Sequence, residues 1–347
     1  MNKKIAIFDA KKYDIESFDK YKEQFDFVYF KDRLSKDTAI LAKGSDAVIC
    51  FVNDELNDEV LSQLESFGIH GVFLRCAGYN NVDLASAYKH KIHIARVPAY
   101  SPHAIAEHAF ALILSLNRHI HKAYIRSRDF NFNLEGLKGF DLNNKTIGVV
   151  GTGKIGRVFV DIAKGFNMNV ICYDPYPIKD SGLNYVSLDE IYEKSDIISL
   201  HCPLSQENHH MVNEDTIKKM KKGVMIINTS RGGLIDSKAL LEGLKEKKIG
   251  AVGLDVYEEE ANLFYKDNSF KIIGDDVLSL LITMPNVIIT SHQAYLTKEA
   301  LDNIAETTIE NLNEYFGDSL IKNELCYHCK KSNNPSECYK NRGNKCF

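Results

Sequence analysis

Short apolar runs recur along the chain and alternate with longer segments, and this pattern limits the possible folds more than any other feature. Most of the intervening segments carry apolar residues at helical spacing. Strands that are apolar on both faces and alternate with helices are typical of parallel α/β sheets. The pattern therefore predicts an α/β protein with doubly wound parallel sheets. The strand-length runs are residues 4–8, 47–52, 71–76, 92–97, 146–151, 169–174, 197–202, 223–228, 251–256 and 286–290.

The composition is that of an ordinary globular protein. The 347 residues are 44% hydrophobic and 26% charged, with a formal net charge of −4, and a chain of this length can bury a large core. Nucleic-acid binding usually requires a basic surface, which this balance does not indicate. Residues 5–8 are too short a run for a secretion signal, and no run approaches the roughly 20 apolar residues of a membrane span. We expect a cytoplasmic protein without nucleic-acid or membrane partners.

Residues 101–129 differ from the rest because no helix breaker follows Pro102. Ser101 is a good N-cap, and proline is well tolerated at the first helical position. The sequence therefore predicts one helix of roughly 25 residues, longer than the usual helix of a globular domain. Such a helix could bridge two domains, meet a partner subunit or lie buried in a core.

A glycine-rich turn follows the apolar run at residues 146–151 and precedes a helical segment. Gly151 permits a tight turn, Gly153 lets the backbone approach a pyrophosphate, and Gly156 allows the helix to pack closely on the sheet. The next apolar run ends at Asp174, where a carboxylate can accept hydrogen bonds from ribose hydroxyls. No arginine follows Asp174 to accommodate a 2′-phosphate. The turn predicts a site for NAD rather than NADP.

The position of this turn indicates how the chain is divided. The residues that precede it form an α/β pattern of their own, so the cofactor domain is predicted to be inserted into another domain. We predict two Rossmann-like domains. The discontinuous catalytic domain, which binds the substrate, comprises residues 1–98 and 298–325, the NAD-binding domain comprises residues 99–297, and residues 326–347 form a cysteine-rich tail.

Charged side chains follow three of the predicted strands. Arg231 comes after the run at residues 223–228, Asp255 ends "AVGLD", and His292 follows "NVIITS". Glu258–Glu260 extend the acidic character beyond Asp255. Ligands of parallel α/β sheets bind beyond the carboxyl ends of the strands, so these groups should converge on the cofactor crevice. A guanidinium that holds a carboxylate, a histidine that gives a proton and an acid that orients it suit the reduction of a 2-oxo acid.

Seven segments, taken in order, resemble the D-2-hydroxyacid dehydrogenase family and most of all its fermentative, NAD-dependent D-lactate dehydrogenase branch. The resemblance runs from about residue 3 to residue 325, and it implies D rather than L chirality. The segments are "RCAGYNNVD", "VPAYSPHAIAEHA", "GTGKIG", "LHCPL", "NTSRGGLID", "GLDVYEEE" and "SHQAYLT".

The resemblance assigns roles residue by residue. It implies that Arg231 binds the substrate carboxylate, that His292 is the acid–base residue and that Glu260 is its carboxylate partner, which keeps the imidazole protonated. The positions that border the substrate are Ala77, Gly78, Tyr100 and Tyr295. The positions that line NAD are Gly151, Gly153, Lys154, Ile155, Gly156, Asp174, Cys202, Pro203, Asn208, Thr229, Ser230 and Asp255.

The expected reaction is the reversible reduction of pyruvate to D-lactate by NADH, with no metal in the active site. One alternative is a D-2-hydroxyacid dehydrogenase for bulkier 2-oxo acids such as 4-methyl-2-oxopentanoate or phenylpyruvate, because an apolar pocket discriminates size only modestly. Another is a non-catalytic NAD-sensing interaction protein on the same scaffold. The family also implies a homodimer or homotetramer, through residues 101–129.

The eight cysteines fall into two groups. Cys50, Cys76, Cys172 and Cys202 lie singly in or at the ends of apolar runs and read as core residues of a reduced protein. The other four crowd the tail, which departs from the family pattern. They could supply the ligands of zinc or an iron–sulfur cluster, or belong to a flexible polar tail with exposed thiols, or sense redox state. The tail cysteines are Cys326, Cys329, Cys338 and Cys346.

Overall fold

The computed structural model describes residues 2–260, 263–317 and 319–328. The chain forms two compact units. Unit 1 combines the residues up to Ser101 with those from Thr297 onward, and unit 2 is the continuous segment Pro102–Leu296. Each unit contains one six-stranded sheet.

The sheet of unit 1 has the order β12-β5-β4-β3-β1-β2. All neighbouring strands are parallel except β12, which pairs antiparallel with β5. The strands are β1 (Lys3–Ile7), β2 (Phe25–Tyr29), β3 (Ala47–Cys50), β4 (Gly71–Leu74), β5 (His93–Arg96) and β12 (Glu324–Leu325). The α-helices are α1 (Lys12–Phe18), α2 (Asp58–Ser66), α3 (Leu84–Lys89) and α11 (Lys298–Phe316).

The sheet of unit 2 has the order β11-β10-β9-β8-β6-β7, and all of its strands are parallel. The strands are β6 (Thr146–Val150), β7 (Asn169–Tyr173), β8 (Ile197–Leu200), β9 (Val224–Asn228), β10 (Ile249–Leu254) and β11 (Val287–Ile289). The α-helices are α4 (Pro102–Asn117), α5 (Ile120–Arg128), α6 (Lys154–Gly165), α7 (Leu188–Lys194), α8 (Glu214–Lys219), α9 (Ser237–Lys245) and α10 (Asp276–Thr283).

The predicted fold class is confirmed, because each unit is built on a doubly wound parallel sheet, to which unit 1 adds the antiparallel strand β12. In unit 2 the strand order reverses beside β6, which has β7 on one side and β8 on the other. Such a switch point opens a crevice at the carboxyl ends of the strands. The side chains of β9 show why both faces are apolar: Ile226 packs into the core on one face, and Met225 and Ile227 pack into the core on the other.

The prediction of one helix over residues 101–129 is wrong. Helix α4 ends at Asn117, and α5 begins at Ile120 after His119 adopts a left-handed conformation with φ of 50°. The buried Asn117 amide donates to the carbonyl of Phe140 and accepts from its N–H, at 2.7 and 2.9 Å. These tertiary bonds fix the end of α4, whereas local sequence signals would let the helix continue.

Two strands, β2 and β12, lie outside the predicted set. Asp26 interrupts the apolar run of β2, which is an edge strand with mostly half-buried side chains. The two residues of β12 are too few to give a periodic signal. The prediction that Cys50, Cys76, Cys172 and Cys202 are core residues is confirmed, since all four are buried and free. Among the described residues, no helix combines the length and apolar character needed to cross a bilayer.

Two glycines of α6 make a matched pair for testing the close packing of this helix. A Cβ at Gly156 would lie 2.0 Å from the carbonyl oxygen of Gly151, whereas a Cβ at the exposed Gly165 would meet no atom within 4 Å. We expect Gly156→Ala to destabilise unit 2 by about 1–3 kcal/mol, the usual cost of overpacking. Gly165→Ala should stabilise it by about 0.5 kcal/mol through helix propensity. Thermal unfolding of both variants checks this, and equal melting temperatures would contradict it.

Candidate active site

The glycine-rich turn after β6 has a distinct geometric reason for each glycine. Gly151 has a φ of 95°, and a Cβ there would lie 2.7 Å from backbone atoms of His201 and Cys202. Gly153 has open space around its Cα, and Gly156 packs directly against the Gly151 carbonyl. Helix α6 starts at Lys154 with unpaired N–H groups in its first turn, which favour a phosphate. The turn therefore fits the pyrophosphate of a dinucleotide.

Asp174 lies just beyond β7 and is held by backbone donors. Its Oδ2 accepts from the N–H of Thr152 at 2.7 Å, and its Oδ1 accepts from the N–H of Tyr176 at 2.9 Å. The Thr152 hydroxyl also donates to Oδ2 and lies 2.9 Å from the hydroxyl of Tyr185. A fixed carboxylate at this place can accept ribose hydroxyls and would repel a 2′-phosphate, which favours NAD over NADP.

The remaining residues predicted to line NAD follow β6, β8 and β9, except Asp255, which follows β10. The Ser230 hydroxyl donates to the carbonyl of Cys202 at 2.9 Å, and the Asn208 amide donates to the carbonyl of Pro203 at 2.7 Å. Burial raises the pKa of the Cys202 thiol to about 11, so the thiol is neutral and adds no negative charge. Thr229 is buried, Ile155 is half-buried and Lys154 is exposed.

Arg231 lies on a tight turn that begins at the end of β9. The buried Asn228 amide spans this turn: it accepts from the N–H of Ser230 at 3.0 Å and donates to the carbonyl of Arg231 at 2.8 Å. Gly232 then packs against the next strand end so closely that a Cβ would lie 2.1 Å from the carbonyl carbon of Tyr257. These contacts bring the turn carrying Arg231 against the segment that leads to Glu260.

His292 and Glu260 form a hydrogen-bonded pair. Nδ1 of His292 lies 2.8 Å from Oε1 of Glu260, and the two side chains are 22% and 25% exposed. The other carboxylate oxygen of Glu260 accepts from the N–H of Tyr257 at 2.9 Å. The imidazole is therefore oriented through Nδ1, while a quarter or less of each side chain is open to solvent. A histidine with one nitrogen on a carboxylate can carry a proton on the other.

The buried carboxylate of Asp255 fixes the backbone around His292. Oδ1 accepts from the N–H of Gln293 at 2.9 Å and from the hydroxyl of Thr290 at 2.6 Å, and Oδ2 accepts from the N–H of Ala294 at 2.8 Å. The N–H of His292 donates to the Asp255 carbonyl at 2.7 Å. His292 has a φ of 53°, a left-handed conformation that a non-glycine residue keeps only when its surroundings impose it.

Hydrogen bonds together affect the pKa of Asp255 more strongly than its burial does. Burial alone would raise the pKa of this carboxyl group, but donors from His108, Thr290, Gln293 and Ala294 lower it below its usual range. Nε2 of His108 lies 3.4 Å from Oδ1 of Asp255 and 3.1 Å from the Thr290 hydroxyl. The carboxylate is thus ionised at neutral pH and holds the turn that carries His292.

The residues predicted to border the substrate belong to both units. In unit 1, the carbonyl of Ala77 accepts from Arg96 at 2.6 Å, and the carbonyl of Gly78 accepts from the Cys76 thiol at 3.3 Å. Also in unit 1, the carbonyl of Tyr100 accepts from the amide of Asn303 at 2.6 Å. In unit 2, Tyr295 is buried and follows the Asp255-bound backbone.

Several residues of this site lie outside the predicted set. They include Asn228, which spans the Arg231 turn, His108, which contacts Asp255, and Tyr265, whose hydroxyl donates to the carbonyl of His292 at 3.0 Å. Asn228 could have been predicted from the sequence, because it is a polar residue at the end of an apolar run. His108 gave none, because its partner is distant in the sequence. Of the proposed tail ligands, Cys326 is buried, while Cys329, Cys338 and Cys346 lie outside the described residues.

Comparisons with known proteins identify the family of this chain. Residues 110–294 match the family model described as D-isomer specific 2-hydroxyacid dehydrogenase, NAD binding domain. The D-lactate dehydrogenase of Escherichia coli is 48% identical over 327 residues, which cover 93% of this chain and 99% of that protein.

Two solved structures resemble the whole fold. A pyruvate reductase of Chlamydomonas reinhardtii superposes with a TM-score of 0.89 and 43% identity, over 93% of this chain and 98% of that one. A D-2-hydroxyisocaproate dehydrogenase superposes with a TM-score of 0.83 and 33% identity, over 93% and 99%. The chain therefore belongs to the D-2-hydroxyacid dehydrogenase family and is an NAD-dependent oxidoreductase of that family.

Proposed function

We propose that this enzyme reduces pyruvate to D-lactate, reversibly, with His292 as the proton donor. The observation that carries the proposal is the bond between His292 and Glu260 beside the carboxyl ends of β10 and β11. The match to a D-lactate dehydrogenase and to a pyruvate reductase supports pyruvate as the substrate. Membership of an enzyme family favours catalysis over the non-catalytic NAD-sensing alternative.

The mechanism assigns one role to each nitrogen of His292. When bound, NADH supplies the hydride that C2 of the oxo acid accepts. Because Nδ1 is on Glu260, Nε2 holds the proton that passes to the carbonyl oxygen. In lactate oxidation the same nitrogen takes the hydroxyl proton back. The carboxylate of Glu260 keeps the ring in one orientation.

Arg231 is proposed to bind the carboxylate of the substrate and polarise its carbonyl group. A guanidinium can hold a carboxylate through two parallel hydrogen bonds, which fixes its orientation as well as its position. The bonds of Asn228 stiffen the turn and so restrict where the guanidinium can lie. The backbone N–H groups of Ala77 and Gly78, with the rings of Tyr100 and Tyr295, are proposed as further substrate contacts on the basis of the family resemblance.

The alternative substrates are bulkier 2-oxo acids. The similarity to a D-2-hydroxyisocaproate dehydrogenase supports this alternative, since that protein shares the fold over nearly its whole length. The chemistry at His292 would be the same for both substrate classes. Only the side chains that border the substrate would differ, and apolar pockets distinguish one methylene by about 1–3 kcal/mol.

A homo-oligomer is proposed from the surface of unit 2. Helix α5 and the segment after it carry large apolar side chains in solvent: Phe130, Phe132 and Leu134 are 83%, 72% and 80% exposed. Ile120 and Tyr124 on α5 are more than half exposed as well. Contiguous exposed apolar surface marks an interaction site. A second copy of this chain is the proposed partner, in agreement with the family expectation.

Replacing His292 tests the catalytic proposal. We expect NADH oxidation with pyruvate at neutral pH to fall by about 10²–10⁴ in kcat for His292→Gln, the usual contribution of a positioned acid–base group. Glu260→Gln should lower kcat less than His292→Gln does, because the amide oxygen can still hold the imidazole through Nδ1. His70→Gln, a histidine in unit 1, is the matched control and should keep full activity.

The substrate panel separates the two substrate classes. Pyruvate is compared with 4-methyl-2-oxopentanoate, phenylpyruvate and hydroxypyruvate, with NADPH in parallel. A higher kcat/KM for the bulkier acids would keep the mechanism and move the enzyme to the alternative. Full activity of His292→Gln on any of these acids would rule out the proposed proton donor.

Replacing Asp255 tests the link between stability and the His292 turn. Because the folded pKa of Asp255 lies below the value of 3.8 for an unperturbed group, its contribution is fully present above about pH 4 and is lost as pH falls through the folded pKa. We expect the free energy of unfolding of Asp255→Asn, measured by denaturant titration, to be about 1–3 kcal/mol lower than that of wild type at pH 7. The reason is that an amide nitrogen cannot accept the buried N–H. The difference in free energy of unfolding between Asp255→Asn and wild type should become smaller below pH 4. Exposed Asp161→Asn is the control, and a pH-independent difference would contradict the assignment.

Charge placed on the exposed apolar segment tests the oligomer. We expect Phe132→Asp to shift the sedimentation coefficient toward that of a single chain, because a buried, unpaired carboxylate is costly at an interface. Ile282→Asp on α10, where the side chain is 61% exposed, is the matched control and should leave the coefficient unchanged. A wild-type chain that sediments as a monomer at micromolar concentration would exclude the homo-oligomer.

A further inference from the structure

Three side chains outside the proposed catalytic set bring metal-binding atoms together in unit 2. The ligand atoms of His209, His210 and Glu258 all lie within 4.8 Å of one another. The two imidazole rings stack with centroids 3.9 Å apart, and Nε2 of His210 lies 2.5 Å from Oε1 of Glu258. None of these groups has a role in the hydride transfer described above. We call them the 209/210/258 cluster.

The backbone arranges this cluster. His210 has a φ of 53°, and the turn is held by its N–H, which donates to the carbonyl of Gly233 at 2.9 Å. In an extended chain the rings of His209 and His210 would point to opposite sides. The left-handed conformation of His210 allows the two rings to stack instead. A Cβ at Gly233 would lie 3.5 Å from Cδ2 of His209. Left-handed non-glycine residues cost energy and concentrate at functional sites.

Two further polar side chains lie beside the cluster, and one of them is hydrogen-bonded to it. Nδ1 of His210 has a carboxylate oxygen of Asp236 at 4.0 Å, and the second oxygen of Glu258 accepts from the hydroxyl of Ser237 at 3.2 Å. Metal-binding histidines and carboxylates are typically oriented by such outer partners. The side chains of His210 and Glu258 are 32% and 24% exposed, and His209 is exposed, so an ion can enter from solvent.

We propose that the 209/210/258 cluster binds a divalent transition-metal ion, with Zn²⁺ as the fitting ion. Two imidazole nitrogens and one carboxylate suit Zn²⁺, and a water molecule completes its four-coordinate shell. Mg²⁺ and Ca²⁺ are disfavoured because they require oxygen ligands. A plain ion pair between His210 and Glu258 would leave His209 without a role in the cluster.

A bound ion would connect two segments that adjoin the candidate active site. Glu258 is followed closely by Glu260, whose carboxylate accepts from the N–H of Tyr257 and contacts His292. His209 and His210 end the loop that contains Asn208. Coordination would cross-link this loop to the Tyr257–Glu260 segment and stabilise the folded state by mass action. The proposal does not depend on which oxo acid is the substrate.

Calorimetric titration of the full chain with Zn²⁺ tests the proposal. We expect one Zn²⁺ bound per chain at the cluster, with affinity at least tenfold weaker in His209→Asn and in Glu258→Gln. His70→Asn removes a histidine elsewhere and should leave the affinity unchanged. Saturating Zn²⁺ should raise the melting temperature of wild type by about 5 °C and that of His209→Asn by much less.

Substitution with Co²⁺ distinguishes the cluster from the tail cysteines. Co²⁺ held by imidazole and carboxylate shows only weak visible bands, whereas thiolate ligands add an intense near-ultraviolet band. We expect the weak bands in wild type and their loss in His209→Asn, whose side chain is exposed and whose folding should be unaffected. Zn²⁺ affinity and Co²⁺ spectra that are the same in wild type and His209→Asn would overturn the proposal, even if Glu258→Gln fails to fold.

Discussion

The candidate active site depends on one buried carboxylate. Asp255 would be costly to desolvate without replacement hydrogen bonds, and donors that follow β11 supply them. The same bonds hold the chain on both sides of His292 in a left-handed conformation that it would not adopt alone. The hydrogen bonds of Asp255 therefore contribute to folding stability and also position the proposed proton donor, so we expect a substitution at Asp255 to change both.

Close backbone contact between neighbouring strand ends organises the rest of the site. Gly232 lies against the carbonyl of Tyr257, which brings the Arg231 turn to the segment that carries Glu260. The next glycine, Gly233, accepts from the N–H of His210 and so supports the proposed metal cluster. Two adjacent glycines thus serve both sites. Any side chain at Gly232 would separate the strand ends and move Glu258 and Glu260 in the following segment.

The sequence predicted features that depend on local pattern and missed those that depend on distant partners. Apolar runs of strand length identified the sheets because strands buried on both faces must be apolar. The tight turn at Gly151 and the close packing at Gly156 could be predicted, because each follows from the strand–turn–helix context. The end of α4 could not be predicted from the sequence, since it depends on the hydrogen bonds between Asn117 and Phe140. The contact of His108 with Asp255 could not be predicted either, because a polar residue on an apolar helix does not indicate which residue it contacts.

The antiparallel strand β12 and helix α11 have a consequence for the order in which the chain can fold. Ile309 and Leu312 of α11 pack into the same core as Ile5 and Ile7 of β1, so unit 1 lacks part of its core until the last segment has been synthesised. Unit 2 is continuous and has all of its strands once Leu296 has left the ribosome. Since domains fold as units during synthesis, the first hundred residues keep apolar surface uncovered until α11 is made, after the 195 residues of Pro102–Leu296.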